Sequence, residues 1–404
     1  MGRAKVISWA LYDFANTAFS ALFVTFFFPK LIKELLGGNE FQIGLAMGLS
    51  MFFVGIIVPI IGTYSDITRR KVELIKYFTL ACIVCTFAVG FVGLYPALIL
   101  GGIANFFYHA CLVVYNATLT LVSGKKDTGN ISGIGVAWGY LGTLVSLVMA
   151  VVILYLFDAP LNVQLMFPAT ALFFLAFSLP LFITIKDMPL KNHTSLGRQI
   201  KTSTSDVFKT LKKITQFRGV VPFLLAAFAY SNGITAAVVF LYLYAREKLA
   251  ITDPQFIVIY MIFAVASAGG SYLAGKLADM IHPKKVLLGA GLIWIVVLIM
   301  LMFPSSIPLF GLAGAIGGAA MGSIWAAIRP QMISLVPPAR LGQFFGFAEL
   351  ADKFSGIVGP IIFGYLVVAA GYFTALASMI VFFALGAFLL LFVPTHIKRP
   401  NSVR

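Results

Sequence analysis

The chain has 404 residues, of which 60% are hydrophobic and only 11% are charged, and its formal net charge is +15. A soluble domain carries about 25% charged residues to solvate its surface, so this composition excludes a soluble globular protein. With about 20 apolar residues in each transmembrane helix, the length predicts about twelve spans and leaves no room for a large soluble domain.

Apolar runs follow one another along the whole chain, separated by charged residues, Pro or Gly. In chain order they cover residues 7–36, 41–64, 74–95, 97–122, 132–157, 162–185, 220–245, 255–278, 285–304, 307–335, 343–368 and 371–394. Backbone groups cannot stay unpaired in lipid, so runs of this length predict helices. The first run follows Arg3 and Lys5 but contains Asp13 and no cleavage site, which predicts a retained span rather than a signal peptide.

The longest polar stretch divides these runs into two sets of six. It extends from Lys186 to Arg218 and holds eight basic residues. We therefore predict an all-α membrane protein with an N-terminal six-helix bundle (1–185), a basic cytoplasmic linker (186–218) and a C-terminal six-helix bundle (219–404).

The basic residues lie almost entirely on one predicted side of the membrane. That side holds 24 of the 29 Lys and Arg residues, and the other side holds only Lys30, Lys33, Arg246 and Lys248. Cytoplasmic loops accumulate Lys and Arg, so both termini and the linker are predicted to be cytoplasmic. The positive charge then reflects the topology of a multi-pass protein of the cell membrane, facing an anionic leaflet, and it gives no reason to expect nucleic-acid binding.

The two halves share a sequence register at an offset of 213 residues. The matched pairs are Gly62 with Gly275, Asp66 with Asp279, Lys71 with Lys284, Gly129 with Gly342, and Gly133 with Gly346. They fall at equivalent loops and helix starts, as a duplicated six-helix unit requires. Paired repeats of this kind are a transporter architecture, with the binding site at the repeat interface.

The loop after the second run and its repeat carry a common motif. The first copy reads Gly62-Thr-Tyr-Ser-Asp66-Ile-Thr-Arg69-Arg70-Lys71, and the second reads Gly275-Lys-Leu-Ala-Asp279-Met-Ile-His282-Pro-Lys284. Both resemble the Gly-x-x-x-Asp-x-x-Gly-Arg-Lys signature of the major facilitator superfamily, except that Arg69 and His282 replace its second glycine. An Asp at a helix C-terminus needs a basic partner or another helix's N-terminus. We interpret the motif as a conformational latch formed by Gly62, Asp66, Arg70, Lys71, Gly275, Asp279 and Lys284.

Three further segments are similar to the vacuolar amino-acid effluxer (autophagy-related) family and its prokaryotic relatives. They are Ser8-Trp9-Ala-Leu-Tyr12-Asp13-Phe-Ala-Asn16, Gly133-Ile-Gly135-Val-Ala137-Trp-Gly139-Tyr140-Leu-Gly142 and Phe344-Phe345-Gly346-Phe. Two positions depart from that family, since Asn232 stands where it tends to have Asp and Asp352 replaces a usual Gly. The resemblance implies amino-acid export.

Polar residues within the apolar runs mark the expected solute cavity. In the superfamily the first, fourth, seventh and tenth helices line a central cavity, and polar residues occur in all four of these runs. The solute-cavity candidates are Asn16, Thr17, Asn105, Tyr108, Asn116, Tyr230, Asn232, Thr235 and Trp325. Ser, Thr and Asn also hydrogen-bond neighbouring membrane helices, so helix packing is the alternative reading for several of them.

Ionisable residues inside the runs are candidates for proton coupling, because such groups are costly in lipid and usually functional. They are Asp13, His109, Glu349, Asp352 and Lys353. Glu349 and Lys353 are four residues apart in the favourable order for an ion pair. That spacing leaves Asp13 and Asp352 as carboxylates that could load and release a proton.

The sequence therefore predicts a monomeric, proton-coupled secondary transporter of a small solute. No phosphate-binding loop, catalytic motif, cofactor or metal site is expected, and the Cys82-x-x-Cys85 pair and Cys111 are interpreted as packing residues. The alternatives are a multidrug, sugar or organic-anion transporter of the same fold, a transport-inactive receptor or scaffold, and an intramembrane enzyme.

The charge distribution generates a topology prediction. A single cysteine placed in the 186–218 linker or in the C-terminal tail should react with a membrane-impermeant maleimide only after the membrane is opened. The control is a cysteine beside Lys248, which should react in intact cells. Labelling of the linker from outside intact cells would contradict the assigned orientation.

Overall fold

The computed structural model describes residues 2–124, 126–187, 195–303 and 306–395. The first set of spanning helices is α1 (Arg3–Leu35), α2 (Glu40–Thr68), α3 (Lys71–Val89), α4 (Leu94–Val122), α5 (Thr128–Leu156) and α6 (Leu161–Thr184). The linker contains a helix of its own, α7 (Leu196–Lys212), which the sequence did not predict.

The remaining spanning helices are α8 (Val220–Leu249), α9 (Asp253–Ile281), α10 (Pro283–Met302), α11 (Ile307–Leu335) and α12 (Leu341–Leu391). Within the described residues, eleven helical segments are long and apolar enough to cross a membrane. Gly371 divides α12 into two arms, because its φ of +80° and ψ of 172° are not helical. Counting the two arms separately gives twelve spans, which confirms the predicted fold class.

The chain packs as two compact units. One contains residues 1–125 and 134–207, and the other contains residues 126–133 and 208–404. The first turn of α5 therefore belongs to the second unit, whereas the rest of α5 belongs to the first. The division within the predicted linker falls inside α7.

Polar side chains cap several helix N-termini. They supply the acceptors that the first backbone N–H groups lack. At α2, the Asn39 side chain accepts from the Gln42 N–H (3.0 Å) and the Gln42 side chain accepts from the Asn39 N–H (3.1 Å). At α3, the carboxylate of Asp187 accepts from the N–H groups of Val72 (2.9 Å) and Glu73 (2.8 Å). The start of the linker is thereby fixed to the start of α3.

An aromatic stack forms the core of the first unit between α1, α3 and α4. The rings of Trp9 and Tyr115 stack at 4.6 Å, and those of Tyr12 and Tyr115 stack at 4.9 Å. The Trp9 indole donates to Thr118 (3.1 Å), and the Tyr12 and Thr79 hydroxyls are hydrogen-bonded (2.7 Å). Each polar tip thus has a partner, which allows these amphipathic rings to be buried.

Glycines of α5 allow α1 to approach its backbone closely. A methyl group added at Gly142 would lie 2.0 Å from the carbonyl oxygen of Phe14, and one added at Gly139 would lie 2.6 Å from the hydroxyl of Thr17. Small residues at such spacing are typical of tight helix crossings in membranes. The crossing fixes the polar side of α1 against α5.

Two short corners connect antiparallel helices at equivalent places in the repeats. Arg69 lies between α2 and α3 with φ +56°, and His282 is the single residue between α9 and α10, with φ +89°. These are the positions at which the superfamily signature has glycine. Both turns have the backbone geometry that favours glycine, although neither residue is one.

Replacing Arg69 with glycine should therefore stabilise the protein. A side chain in the left-handed region costs about 1 kcal/mol, which Arg69→Gly removes. The matched control is Arg70→Gly, which removes the same charge at a residue with φ −105°. Thermal unfolding of the purified proteins should show a gain for Arg69→Gly alone, and equal stability of the two variants would argue against strain in the corner.

Candidate functional site

Asp13 and Thr17 of α1 face the glycine-lined side of α5. Asp13 and Asn16 are 4% and 2% exposed. A methyl group added at Gly135 would lie 2.9 Å from the Asp13 Oδ2 atom and 2.4 Å from the Trp9 ring. The absent side chain of Gly135 leaves the space that the carboxylate occupies. Asp13 is thus a buried acidic group at a close helix crossing.

Two polar residues of α4, Asn105 and Tyr108, contact neighbouring helices. The Asn105 side-chain amide donates to the hydroxyl of Ser50 on α2 (3.1 Å), which joins two helices. The Tyr108 ring stacks on Phe19 of α1 at 5.0 Å. Its neighbour His109 is only 5% exposed. The structure therefore gives Asn105 and Tyr108 contacts typical of helix packing.

Seven buried side-chain amide oxygens have no hydrogen-bond partner among the described residues, and four of them belong to solute-cavity candidates. These four are Asn16 on α1, Asn105 and Asn116 on α4, and Asn232 on α8, of which Asn105 already donates through its amide nitrogen to Ser50. A buried acceptor without a donor costs roughly 1–3 kcal/mol. A bound solute or ordered water can supply the missing donors, so these oxygens are the strongest candidates for solute contact in their respective units.

The charged triad lies on the first arm of α12. The Lys353 ammonium is 3.3 Å from the Glu349 carboxylate and 3.0 Å from that of Asp352. The side chains of Glu349 and Lys353 are 8% and 21% exposed. The pair expected from the spacing is present, and the charge of Lys353 is balanced by two acids of its own helix.

Tyr230 on α8 fills a packing position in the second unit. It is 1% exposed, and its hydroxyl donates to the carbonyl oxygen of Leu287 on α10 (3.2 Å). Its ring lies 5.6 Å from that of Phe383 on the second arm of α12. The hydroxyl proton of Tyr230 therefore already has a backbone acceptor within its own unit.

The other candidates of the second unit lie on α8 and α11. The side-chain amide of Asn232 donates to the carbonyl oxygen of Phe228 one turn earlier (2.8 Å), and Asn232 itself is fully buried. Thr235 and Trp325 are half-buried. Asn232 therefore combines burial with an acceptor that its own unit does not satisfy.

The first copy of the latch motif is an ion pair at the end of α2. The Lys71 ammonium lies 2.9 Å from the Asp66 carboxylate, whose side chain is 3% exposed. Arg70 instead pairs with Glu73 at 3.6 Å on the surface. Lys71 thus supplies the cation that an acid at a helix C-terminus requires.

The second copy binds a helix start. The Asp279 carboxylate accepts hydrogen bonds from the N–H groups of Gly129 and Asn130, both at 2.7 Å, where α5 begins. A methyl group added at Gly275 would lie 2.5 Å from the Gly129 carbonyl oxygen and 2.8 Å from the Gly133 Cα atom. The glycines of the motif therefore bring α9 close enough for Asp279 to reach the positive end of the α5 dipole.

Lys284 has a role that the sequence did not reveal. Its ammonium donates to the carbonyl oxygens of Leu391 (3.1 Å) and Val393 (2.6 Å), where α12 ends. Lysine near a helix C-terminus satisfies carbonyl groups that have no partner within the helix.

Sequence reasoning also missed the residues that anchor the linker. These are Asp187 at its start and Thr210 of α7, which hydrogen-bonds Gln343 and Arg340. Their partners are more than 100 residues away in the chain, and no periodic pattern connects them. The one available signal was the position of Asp187, which is the first acid after the sixth span.

Comparison with known proteins decides the family. Residues 43–402 match the family described as "Vacuole effluxer Atg22 like". The chain belongs to this family. It is 27% identical over 406 residues to the "Uncharacterized MFS-type transporter YxiO" of Bacillus subtilis, covering 96% of this chain and 94% of that protein. It is 23% identical over 303 residues to "Autophagy-related protein 22" of Kluyveromyces lactis, covering 65% of this chain and 60% of that protein.

Solved structures confirm the major facilitator fold of this Atg22-like chain. The transporter FucP in its outward conformation superposes with a TM-score of 0.76 at 18% identity, covering 98% of this chain and all of FucP. The human organic anion transporter MFSD10 gives a TM-score of 0.76 at 12% identity, covering 96% of this chain and all of MFSD10. The Atg22-like chain is thus a membrane transporter of the major facilitator superfamily.

Neutralising the latch carboxylates should slow transport without preventing insertion. Asp279→Asn removes the charge that binds the α5 start, an interaction worth about 1 kcal/mol, and should shift the conformational equilibrium several-fold. Asp66→Asn removes the partner of Lys71 and should act in the same direction. Initial rates in proteoliposomes measure the effect.

The matched control for Asp279→Asn is Asn130→Ala, which keeps the backbone N–H that Asp279 binds. It should transport at close to the unmodified rate. Wild-type rates in both Asp66→Asn and Asp279→Asn would rule out a latch.

Proposed function

We propose that this Atg22-like transporter moves a small solute by alternating access, that protons drive it, and that it exports amino acids. The effluxer description of its family and the vacuolar amino-acid effluxer motifs in α1 and α5 support export. The E. coli fucose:proton symporter, which has the same fold with a TM-score of 0.74, shows that this fold accommodates proton coupling.

The observation that carries proton coupling is the burial of Asp13. This acid is 4% exposed and lies against Gly135 of α5. Ionisable residues inside a membrane are costly and usually functional. A group of this kind can take up a proton in one state of the transport cycle and release it in another.

The charges on α12 form a second group of proton-coupling candidates. Lys353 lies within 3.3 Å of Glu349 and 3.0 Å of Asp352. In this proposal these two carboxylates balance the charge of Lys353 on their own helix, and Asp13 is the residue that carries the proton.

The unsatisfied amide oxygens support a solute rich in hydrogen-bond donors. Asn16, Asn116 and Asn232 each present a buried acceptor. The ammonium group of an amino acid provides three N–H donors, whereas most multidrug substrates are largely apolar.

Counterflow in proteoliposomes tests transport itself. Vesicles loaded with an unlabelled amino acid should transiently concentrate the labelled compound, whereas a transport-inactive receptor or scaffold would not. A thermal-shift panel of amino acids, peptides, sugars, organic anions and drugs identifies which compound to load. Stabilisation by sugars but not by amino acids would replace amino-acid export with the sugar alternative.

Asp13→Asn should separate proton coupling from solute movement. The neutral side chain cannot cycle a proton, so proton-driven accumulation should fall to background while solute counterflow remains. The matched control is Asp158→Asn, the same change at an exposed residue outside the helices, which should leave both activities intact. Proton-driven accumulation by well-folded Asp13→Asn protein would contradict the assignment.

A further inference from the structure

The linker helix α7 has one buried side. Ser203, Val207 and Thr210 are 0%, 6% and 3% exposed, and their spacing places them on one face. The Thr210 hydroxyl donates to the Gln343 side chain (3.1 Å) and accepts from the Arg340 guanidinium (2.8 Å). These bonds fix the C-terminal end of α7 to the first residues of α12.

Beside this buried side, α7 exposes an apolar edge. Ile200, Phe208 and Leu211 are 47%, 60% and 43% exposed. At 100° per residue they fall within an arc of about 80°, with Thr204 near its centre. Single exposed apolar residues are ordinary, but three on one edge of a short polar helix form an apolar strip, interrupted here only by the small residue Thr204.

Basic residues flank this strip on its outer side. Lys201 and Lys212 come next around the helix, followed by Arg198 and Lys209, and all four are exposed. Asp206 is the one acid in α7. An apolar strip beside a basic face is the pattern of helices that lie in the membrane interface.

The contacts at the C-terminal end of α7 agree with this pattern. Arg340 and Gln343 lie at the start of a membrane-spanning arm. Phe217, shortly after α7, packs on Phe344 of the same arm with ring centroids 4.8 Å apart. Residues at the end of a span lie at the level of the lipid headgroups. The strip of α7 is therefore at the depth where a bilayer surface can receive it.

We propose that α7 docks on anionic phospholipid, with Ile200, Phe208 and Leu211 inserted among the acyl chains and Lys201 and Lys212 on the headgroup phosphates. Acidic headgroups complement the basic flank, and the bilayer is the one apolar phase at that level. The physiological setting rests on the cytoplasmic placement of the linker, because the anionic leaflet is the cytoplasmic one.

Spin labels on the full-length protein in nanodiscs test this docking directly. A label at Thr204→Cys samples the strip without altering its three apolar residues, and the control label at Ser205→Cys lies on the exposed basic side. In phosphatidylcholine mixed with phosphatidylglycerol, the Thr204 label should gain oxygen accessibility and lose accessibility to a water-soluble nickel reagent. The Ser205 label should remain water-accessible.

The dependence of docking on charge gives the second readout. Lys201→Gln/Lys212→Gln should reduce the docked-to-undocked ratio about fivefold per lysine. The matched control Lys30→Gln/Lys248→Gln removes the same charge from helix ends remote in sequence and should have no effect. A Thr204 label that stays in water, or that is shielded equally in neutral and anionic nanodiscs, would overturn the proposal. The readout needs no transport, so its failure is distinguishable from failure of the transport assignment.

Discussion

Lipid cannot hydrogen-bond a peptide backbone, and this single constraint determines most of the architecture. Every spanning segment must satisfy its own N–H and C=O groups, so each becomes a helix. The same constraint makes interior charges expensive. Lys353 accordingly has two acids on its own helix, and Asp13 is placed where Gly135 leaves room for it. Ionisable groups that persist under this constraint are the best guide to function.

Helix ends cannot satisfy all of their own N–H and C=O groups, because the outermost backbone groups lack partners within the helix. Charged side chains close several of them in this protein. Asp187 binds the start of α3, Asp279 binds the start of α5, and Lys284 binds the end of α12. The signs follow the helix dipole, with acids at N-termini and the lysine at a C-terminus. Such contacts lie near water, where they can break at moderate cost, unlike contacts in the apolar core.

The sequence was sufficient for the fold, because hydrophobic length and loop charge are dictated by the bilayer. It also identified the Asp279 motif, since the repeat offset placed Asp66 and Asp279 at equivalent helix ends. It could not assign Asn105 or Tyr230, because polar residues at a helix crossing and at a solute site have the same spacing. The hydrogen bonds of Asn105 with Ser50 and of Tyr230 with Leu287 are visible only in the structure. The helix α7 was missed because its polar composition resembles a loop, and its partners lie far away in the chain.

The contacts of Lys284 have a consequence for handling the protein. His282 is the one residue between α9 and α10, so the acid that binds α5 and the lysine that binds α12 are separated by a single corner. Val393 is 1% exposed, and its carbonyl oxygen is among the Lys284 acceptors. The backbone at the end of α12 is thus held in place by Lys284. A fusion partner or affinity tag joined directly after Val393 would disturb the hydrogen bonds between Lys284 and the end of α12. A flexible spacer would leave these bonds intact.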